Sequence, residues 1–406
     1  VTRQIVNDES RRAMLIDLRS DTLTKPIDSM RQAMFDAVVG DDGRTSRDGK
    51  GEDPTVNRLE DLAAKVTGKE DAMFCNSGTI GNIIALMTHC TRGDLVAVGA
   101  NSHLYKSEKS PFMESYFGLD PVLYEADNRG VPRVDSLASL FRKRNTNLLC
   151  LENSNNFFGG ACMSAKETKA ICELANEYSV PVHLDGARIF NVAAYYDLPV
   201  SDLVAPVDSV MFSVSKGLGA PIGSLLCGSK AFIKQARSTR KLLGGGMRQV
   251  GIIAAAGIIG IEIQSQRLKE DHEHAYLLAS KIVGNTKIKV NLENVQTNIV
   301  IIDVSNSGYS AAKFEMEHGR RPVREFNRGE RDFLRKRHVR LRRRRVPGAG
   351  RDRGDGVREA EARRRTDAPP RAGAERHDRR AKLSRAPRPH DHQRAAHAGT
   401  ASAERR

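Results

Sequence analysis

Asp185 and Lys216 stand 31 residues apart, and each follows an apolar run with strand-like composition. The Asp closes Val180 to Leu184 within His183-Leu184-Asp185-Gly186-Ala187-Arg188. The Lys lies in a small, glycine-bounded turn, Ser213-Val214-Ser215-Lys216-Gly217-Leu218-Gly219, after Ser209 to Phe212. A lysine amine held in a tight loop can form a Schiff base with an aldehyde. A carboxylate that meets a pyridinium nitrogen keeps the ring protonated and able to accept electrons. The pair therefore suits pyridoxal 5'-phosphate (PLP), and Asp185 and Lys216 are the first candidate catalytic and cofactor-binding residues. On spacing alone a strand-end Asp and a surface Lys in a Gly-rich turn would look the same.

A third segment adds a phosphate to that set. Cys75-Asn76-Ser77-Gly78-Thr79 joins the short apolar stretch Ala72 to Phe74 to an apolar run, Ile83 to Met87, of helical length. Ser77, Gly78 and Thr79 would open that helix, offering free N–H groups and two hydroxyls to a phosphate at the positive end of the helix dipole. An ordinary helix cap needs the same residues and no ligand. Together the three segments supply contacts for the phosphate, ring nitrogen and aldehyde of one cofactor.

The elements that must position these residues follow from the pattern around them. Residues 72–230 alternate short apolar strands with amphipathic helices, which predicts a mainly parallel sheet covered by helices. The predicted strands are Leu95 to Val98, Leu148 to Leu151, Val180 to Leu184, Ser209 to Phe212 and Ser224 to Cys227. Ligands gather at the carboxyl ends of strands in such sheets, where Asp185 and Lys216 fall. Val250 to Ile261 reads as a buried helix, too short to span a bilayer. Gln264 to Val283 reads as a linking helix, Lys287 to Val304 as two strands of a smaller domain, and Ser310 to His318 as its next helix.

The chain of 406 residues carries a formal charge of +15, and that charge is local. Residues 331–406 hold 23 Arg and 2 Lys against 10 acidic residues, so the rest is neutral. Such a tail, poor in aliphatics, cannot bury enough apolar surface to order itself. It reads as an off-frame translation of GC-rich coding sequence beginning inside an unfinished domain. The competing reading is a basic arm that binds nucleic acid; the scarcity of aromatic residues for base stacking counts against it. The six cysteines are scattered without a CxxC pair, which fits free thiols in a reducing compartment and a cytoplasmic protein. The first residues, Val1 to Met14, lack the apolar core of a signal peptide.

An ordered series of segments resembles the threonine aldolases, PLP-dependent enzymes of the β-eliminating lyase group. The segments are Ile16 to Thr22, Val39-Gly40-Asp41-Asp42, Gly51-Glu52-Asp53-Pro54-Thr55, Asn76 to Thr79 and Ser102-His103. Glu152-Asn153, His183 to Arg188, Ser215 to Leu218 and Gly244-Gly245-Gly246-Met247-Arg248-Gln249 follow, so the likeness spans about residues 16 to 323. It implies the α/β fold of the PLP-dependent transferases, fold type I. The large domain would cover 25–263 after an N-terminal segment 1–24, with a partial small α+β domain at 264–330 before the tail. It implies His103 on the face of the cofactor ring, Arg188 and Ser20 on the substrate α-carboxylate, and Lys241 and Arg248 on the phosphate of a neighbouring subunit. A homo-oligomer, dimer or tetramer, is the implied partner state. The implied reaction cleaves threonine, allo-threonine or a related 3-hydroxy-α-amino acid to glycine and an aldehyde, with β-elimination on the same scaffold as the alternative. The chain departs from the pattern at Ser107 and Val122, where members carry Tyr and His, and in the longer stretch Gly43 to Lys50. The small-domain Arg that completes carboxylate binding should follow a strand near 335–345, where Arg340 is the candidate.

Overall fold

The computed structural model describes residues 15–44, 49–318, 320–322 and 338–342, all within the compact unit Val1–Arg345. Strand β1 (Leu15–Asp17) and helix α1 (Asp28–Phe35) precede helix α2 (Pro54–Thr67). Seven strands then form the central sheet: β2 (Asp71–Cys75), β3 (Leu95–Gly99), β4 (Asp120–Tyr124), β5 (Thr146–Glu152), β6 (Val182–Asp185), β7 (Ser209–Ser213) and β8 (Ser224–Gly228). Their order is β2-β8-β7-β6-β5-β3-β4, and only β8 runs against the others. The predicted strands are all present. β4 escaped prediction because Pro121 breaks its pattern, and Pro is tolerated there because β4 is an edge strand.

Buried strands of a parallel sheet read as continuous apolar runs, and β7 and β8 are buried along their whole length. Helix α3 (Gly78–His89) packs onto this sheet at close range. A Cβ on Gly81 would lie 2.9 Å from Met211 Cγ, and one on Gly78 3.1 Å from Ser213 Oγ. Both glycines thus let the start of α3 approach β7. Helices α4 (Val134–Lys143), α5 (Ala165–Glu177) and α6 (Ile189–Tyr196) follow β4, β5 and β6, and α7 (Val200–Val204) precedes β7. Helix α8 (Lys230–Leu242) follows β8, and α9 (Gly251–Glu262) is the buried apolar helix expected from the sequence.

Beside β8 the open edge of β2 is closed by side chains rather than by another strand. Glu60 of α2 accepts from Phe74 N at 2.7 Å, while Arg237 and Arg240 of α8 donate to Ala72 O and Phe74 O. Arg237 also grips Glu60 through Nη1 and Nη2, at 3.1 and 2.7 Å. A buried edge with unpaired N–H and C=O groups would be costly, and these three side chains remove that cost.

A smaller core lies under α10 (Leu268–Ile282), where Ala275 and Ala279 pack with Val300, Ile302 and Val304 of the β9 (Ile299–Asp303) region. The stretch predicted to give two strands gives β9 alone. Its first half is reduced to a bridge at Lys289, because Asn291 turns the chain by accepting from Glu293 N. Helix α11 (Ala311–His318) is followed by β10 (Arg320–Pro322), antiparallel to β1, and by β11 (His338–Arg342), parallel to β9. β11 thus lies past 331, where the tail is expected to start, and pairs with β9. Arg340 lies on this strand, opposite Ile301, rather than after it. Among the described residues no helix is long and apolar enough to cross a membrane.

Candidate active site

The site forms where β5, β6 and β7 end. Asp185 is the last residue of β6, in register with Glu152, the last of β5, so two carboxylates stand side by side. Asp185 is buried; its Oδ1 accepts from Ala187 N and its Oδ2 from Asn82 Nδ2, each at 3.1 Å. A carboxylate bound this way is fixed in direction and keeps lone pairs for a further donor. Glu152 accepts from His103 N at 2.6 Å and Asn156 N at 2.7 Å. Burial and the neighbouring Asp185 push its carboxyl up to about 7.

Lys216 sits in the connection between β7 and β8, and a hydrogen bond between Ser213 Oγ and Ser224 Oγ closes the base of that loop. Burial, and secondarily the Arg188 guanidinium, lower its ammonium to about 8. That direction suits a nucleophilic amine, which must shed its proton to attack a carbonyl. His103 precedes a single π-helical turn, Leu104–Glu108, and its Nδ1 lies 3.1 Å from Glu108 Oε1. That hydrogen bond holds the imidazole above its usual value. Ligating atoms of His103, Glu108 and Asp185 all lie within 4.8 Å of one another. The structure thus brings His103 close to the Asp185 carboxylate.

Ser77 caps α3, its hydroxyl accepting from Ile80 N at 3.2 Å. The N–H groups of Gly78 and Thr79, in the first turn, have no intrahelical acceptor by the geometry of any helix start. Ser77 and Thr79 are exposed and Gly78 is half-buried, so the turn is open to an anion.

Arg188 does not present the whole of its fork. Its Nε and Nη2 donate to Asp21 Oδ2 and Oδ1 at 2.7 and 2.6 Å, and its Nη1 lies 3.4 Å from Asn156 Oδ1. Asp21 also accepts from Asn298 Nδ2 at 3.1 Å. The Nε edge of the guanidinium is thus taken by Asp21. Ser20, next to Asp21, caps a short 3-10 turn through Thr22 N and so lies beside this pair in the chain.

Lys241 and Arg248 are exposed, and Arg248 Nε lies 3.6 Å from Asp41 Oδ2. Among the described residues no hydrogen bond or ion pair joins either to the Ser77 turn of the same copy. Their glycine-rich loop instead folds back on Val39 to Asp42: Gln249 N donates to Gly40 O, and Gly43 N to Met247 O. Asp53 binds the two segments together, accepting from Gly40 N and Gly251 N while capping α2 at Thr55 N and Val56 N. A Cβ on Gly251 would lie 2.4 Å from Asp53 Oδ1, so that position requires glycine.

Sequence reasoning gave no role to Asn82, Glu108, Glu152 or Asp21. Glu152 carried the signal that singled out Asp185, an acidic residue ending an apolar strand. The donor set fits PLP: a lysine with a lowered ammonium, a fixed carboxylate, an imidazole and an open helix start.

Comparison with known proteins gives the family to which these residues belong. The model of the beta-eliminating lyase family matches residues 17–305. Low-specificity L-threonine aldolase 1 of Arabidopsis thaliana is 39% identical over 306 residues, 73% of this chain and 84% of its own. The low specificity L-threonine aldolase of Escherichia coli K12 is 37% identical over 304 residues, 73% of this chain and 87% of its own. In fold, the threonine aldolase of Leishmania major superposes with a TM-score of 0.57 at 17% identity, over 67% of this chain and 80% of that one. The chain belongs to the beta-eliminating lyase family, with the threonine aldolases as its relatives.

Proposed function

We propose that this chain is a PLP-dependent aldehyde-lyase that splits threonine, allo-threonine or a related 3-hydroxy-α-amino acid into glycine and an aldehyde. The observation that carries the reading is a lysine lowered to about 8 at a site that also holds a fixed, buried carboxylate. The names of the relatives support the substrate class. Bound PLP supplies an electron sink for the pair released when the Cα–Cβ bond breaks.

The residues divide the remaining work. Lys216 would provide the amine that holds the cofactor aldehyde. Asp185 would accept from the ring nitrogen of the bound cofactor and favour its protonated form. Ser77, Gly78 and Thr79 would hold its phosphate, and Lys241 and Arg248 would serve the phosphate of a neighbouring copy in a homo-oligomer. Arg188 and Ser20 hold the substrate carboxylate, which fixes the scissile bond relative to the ring. His103 donates through Nδ1 to Glu108, which leaves Nε2 to move the β-hydroxyl proton. The six cysteines are free and buried, in keeping with a cytoplasmic protein.

The test is direct. Purified full-length protein given PLP should develop a visible absorption band and convert threonine to glycine and acetaldehyde. Lys216→Ala should lose both, with turnover down on the order of a thousandfold or more. A wild-type protein that takes up no PLP would overturn the proposal, and keto-acid product without glycine would replace cleavage by β-elimination.

A further inference from the structure

We infer that Asn82 is a positioning residue that ties Asp185 and the His103–Glu108 pair into one unit, and that His183 and Ser209 set which way its amide faces. The inference rests on the PLP reading of the site.

Asn82 is fully buried on α3, and both ends of its amide are used. Nδ2 lies 3.1 Å from Asp185 Oδ2 and 3.1 and 3.3 Å from Glu108 Oε1 and Oε2. Carboxylates accept, so the amide nitrogen must face them, one hydrogen to each. The amide oxygen then faces His183 Nε2, 3.1 Å away, which must carry a hydrogen. His183 Nδ1 is therefore bare and accepts from Ser209 Oγ at 2.9 Å. The Ser209 oxygen in turn takes a hydrogen from His89 Nε2 at 2.8 Å.

Every donor in this chain of groups points toward the two carboxylates. The rings are neutral: burial lowers His183 to about 3 and His89 to about 4. Asn82 thus gives a hydrogen to Asp185 on one side and to the partner of His103 on the other. An amide turned end for end would aim its oxygen at both carboxylates and push them apart.

Replacing His183 by Gln keeps a donor for Asn82 Oδ1, whereas Leu of similar bulk offers none. With full-length protein and PLP, Asn82→Ala and His183→Leu should each lower kcat about 10- to 100-fold, the loss of a hydrogen bond to a charged group. KM for threonine should move less than about threefold, and His183→Gln should stay within about threefold of wild type. Nitrogen-15 shifts of the cofactor-free wild type should show His183 neutral and protonated on Nε2. If Asn82→Ala does not fold, the His183 pair and the tautomer decide. Equal kcat in the Leu and Gln variants, or an Nδ1-protonated or charged His183, would overturn the inference. A wild type that takes up no PLP overturns the proposed function instead, and the tautomer alone then judges this one.

Discussion

Two buried arginine–carboxylate pairs, one at the edge of the sheet and one at the ends of its strands, put the same chemistry to different uses. Arg237 and Glu60 meet at 2.7 Å with side chains 12% and 0% exposed, and Arg188 and Asp21 at 2.6 Å with 5% and 0%. At the edge, each member also bonds the backbone of β2, so the cluster finishes a strand. At the strand ends, the pair lies among other ionisable side chains: Lys216, Asp185 and Glu152 all act electrostatically on one another or on Arg188. Burial and pairing alone do not mark an active site; what separates the two regions is whether the neighbours are backbone or reactive side chains.

The comparison breaks most visibly at the edge. Arg237→Ala should destabilise the fold by about 3–5 kcal/mol, because Glu60 is left buried without its cation. Chemical denaturation would measure this, while kcat and KM of the folded fraction should be unchanged; a kinetic defect there would erase the distinction. Arg188→Lys should act the other way. It keeps the charge but loses the planar fork, and KM for threonine should rise about 10- to 100-fold. The PLP dissociation constant should change far less, and equal shifts in both would misplace Arg188.

A smaller effect follows from Lys216. Its folded value of about 8 lies below the usual lysine range, so the reactive neutral amine grows with pH up to about 8 and then saturates. The rate of PLP capture by cofactor-free protein should rise about tenfold from pH 6.5 to 7.5 and level off above 8.5. A flat profile over that range would refute the lowered amine. The smallest effect concerns the tail: removing 346–406 should leave turnover unchanged, whereas cutting at 331 also removes β11 from β9. We further expect the coding DNA, read one base out of register from about codon 323, to restore an alternating apolar pattern; stop codons in the other frames would make the tail genuine.

Much of this was legible in the sequence because the signals are local. An apolar run ending in Asp185, a glycine-bounded Lys216 and a Ser77-Gly78-Thr79 turn each sit within a few residues. The strand candidates were legible for the same reason, since β5 to β8 each carry a short, mostly buried apolar stretch. Asn82 and Asp21 were not, because their roles arise from partners 26 to 277 residues away. The expectation for Arg188 was incomplete for this reason: nothing near it in the chain announces Asp21.

Asp21 also fixes when the site can exist. Its carboxylate meets Arg188, 167 residues on, and Asn298, 277 residues on. Chains leave the ribosome from the N-terminus, and domains tend to fold in that order. The Asp21 end, made first, waits for almost the whole described chain before all its partners emerge. Lys216, by contrast, is held by a ten-residue return between β7 and β8 that can close as soon as it is made. The Lys216 loop is thus closed by neighbours in the chain, whereas the Asp21 junction draws on both ends of the described chain.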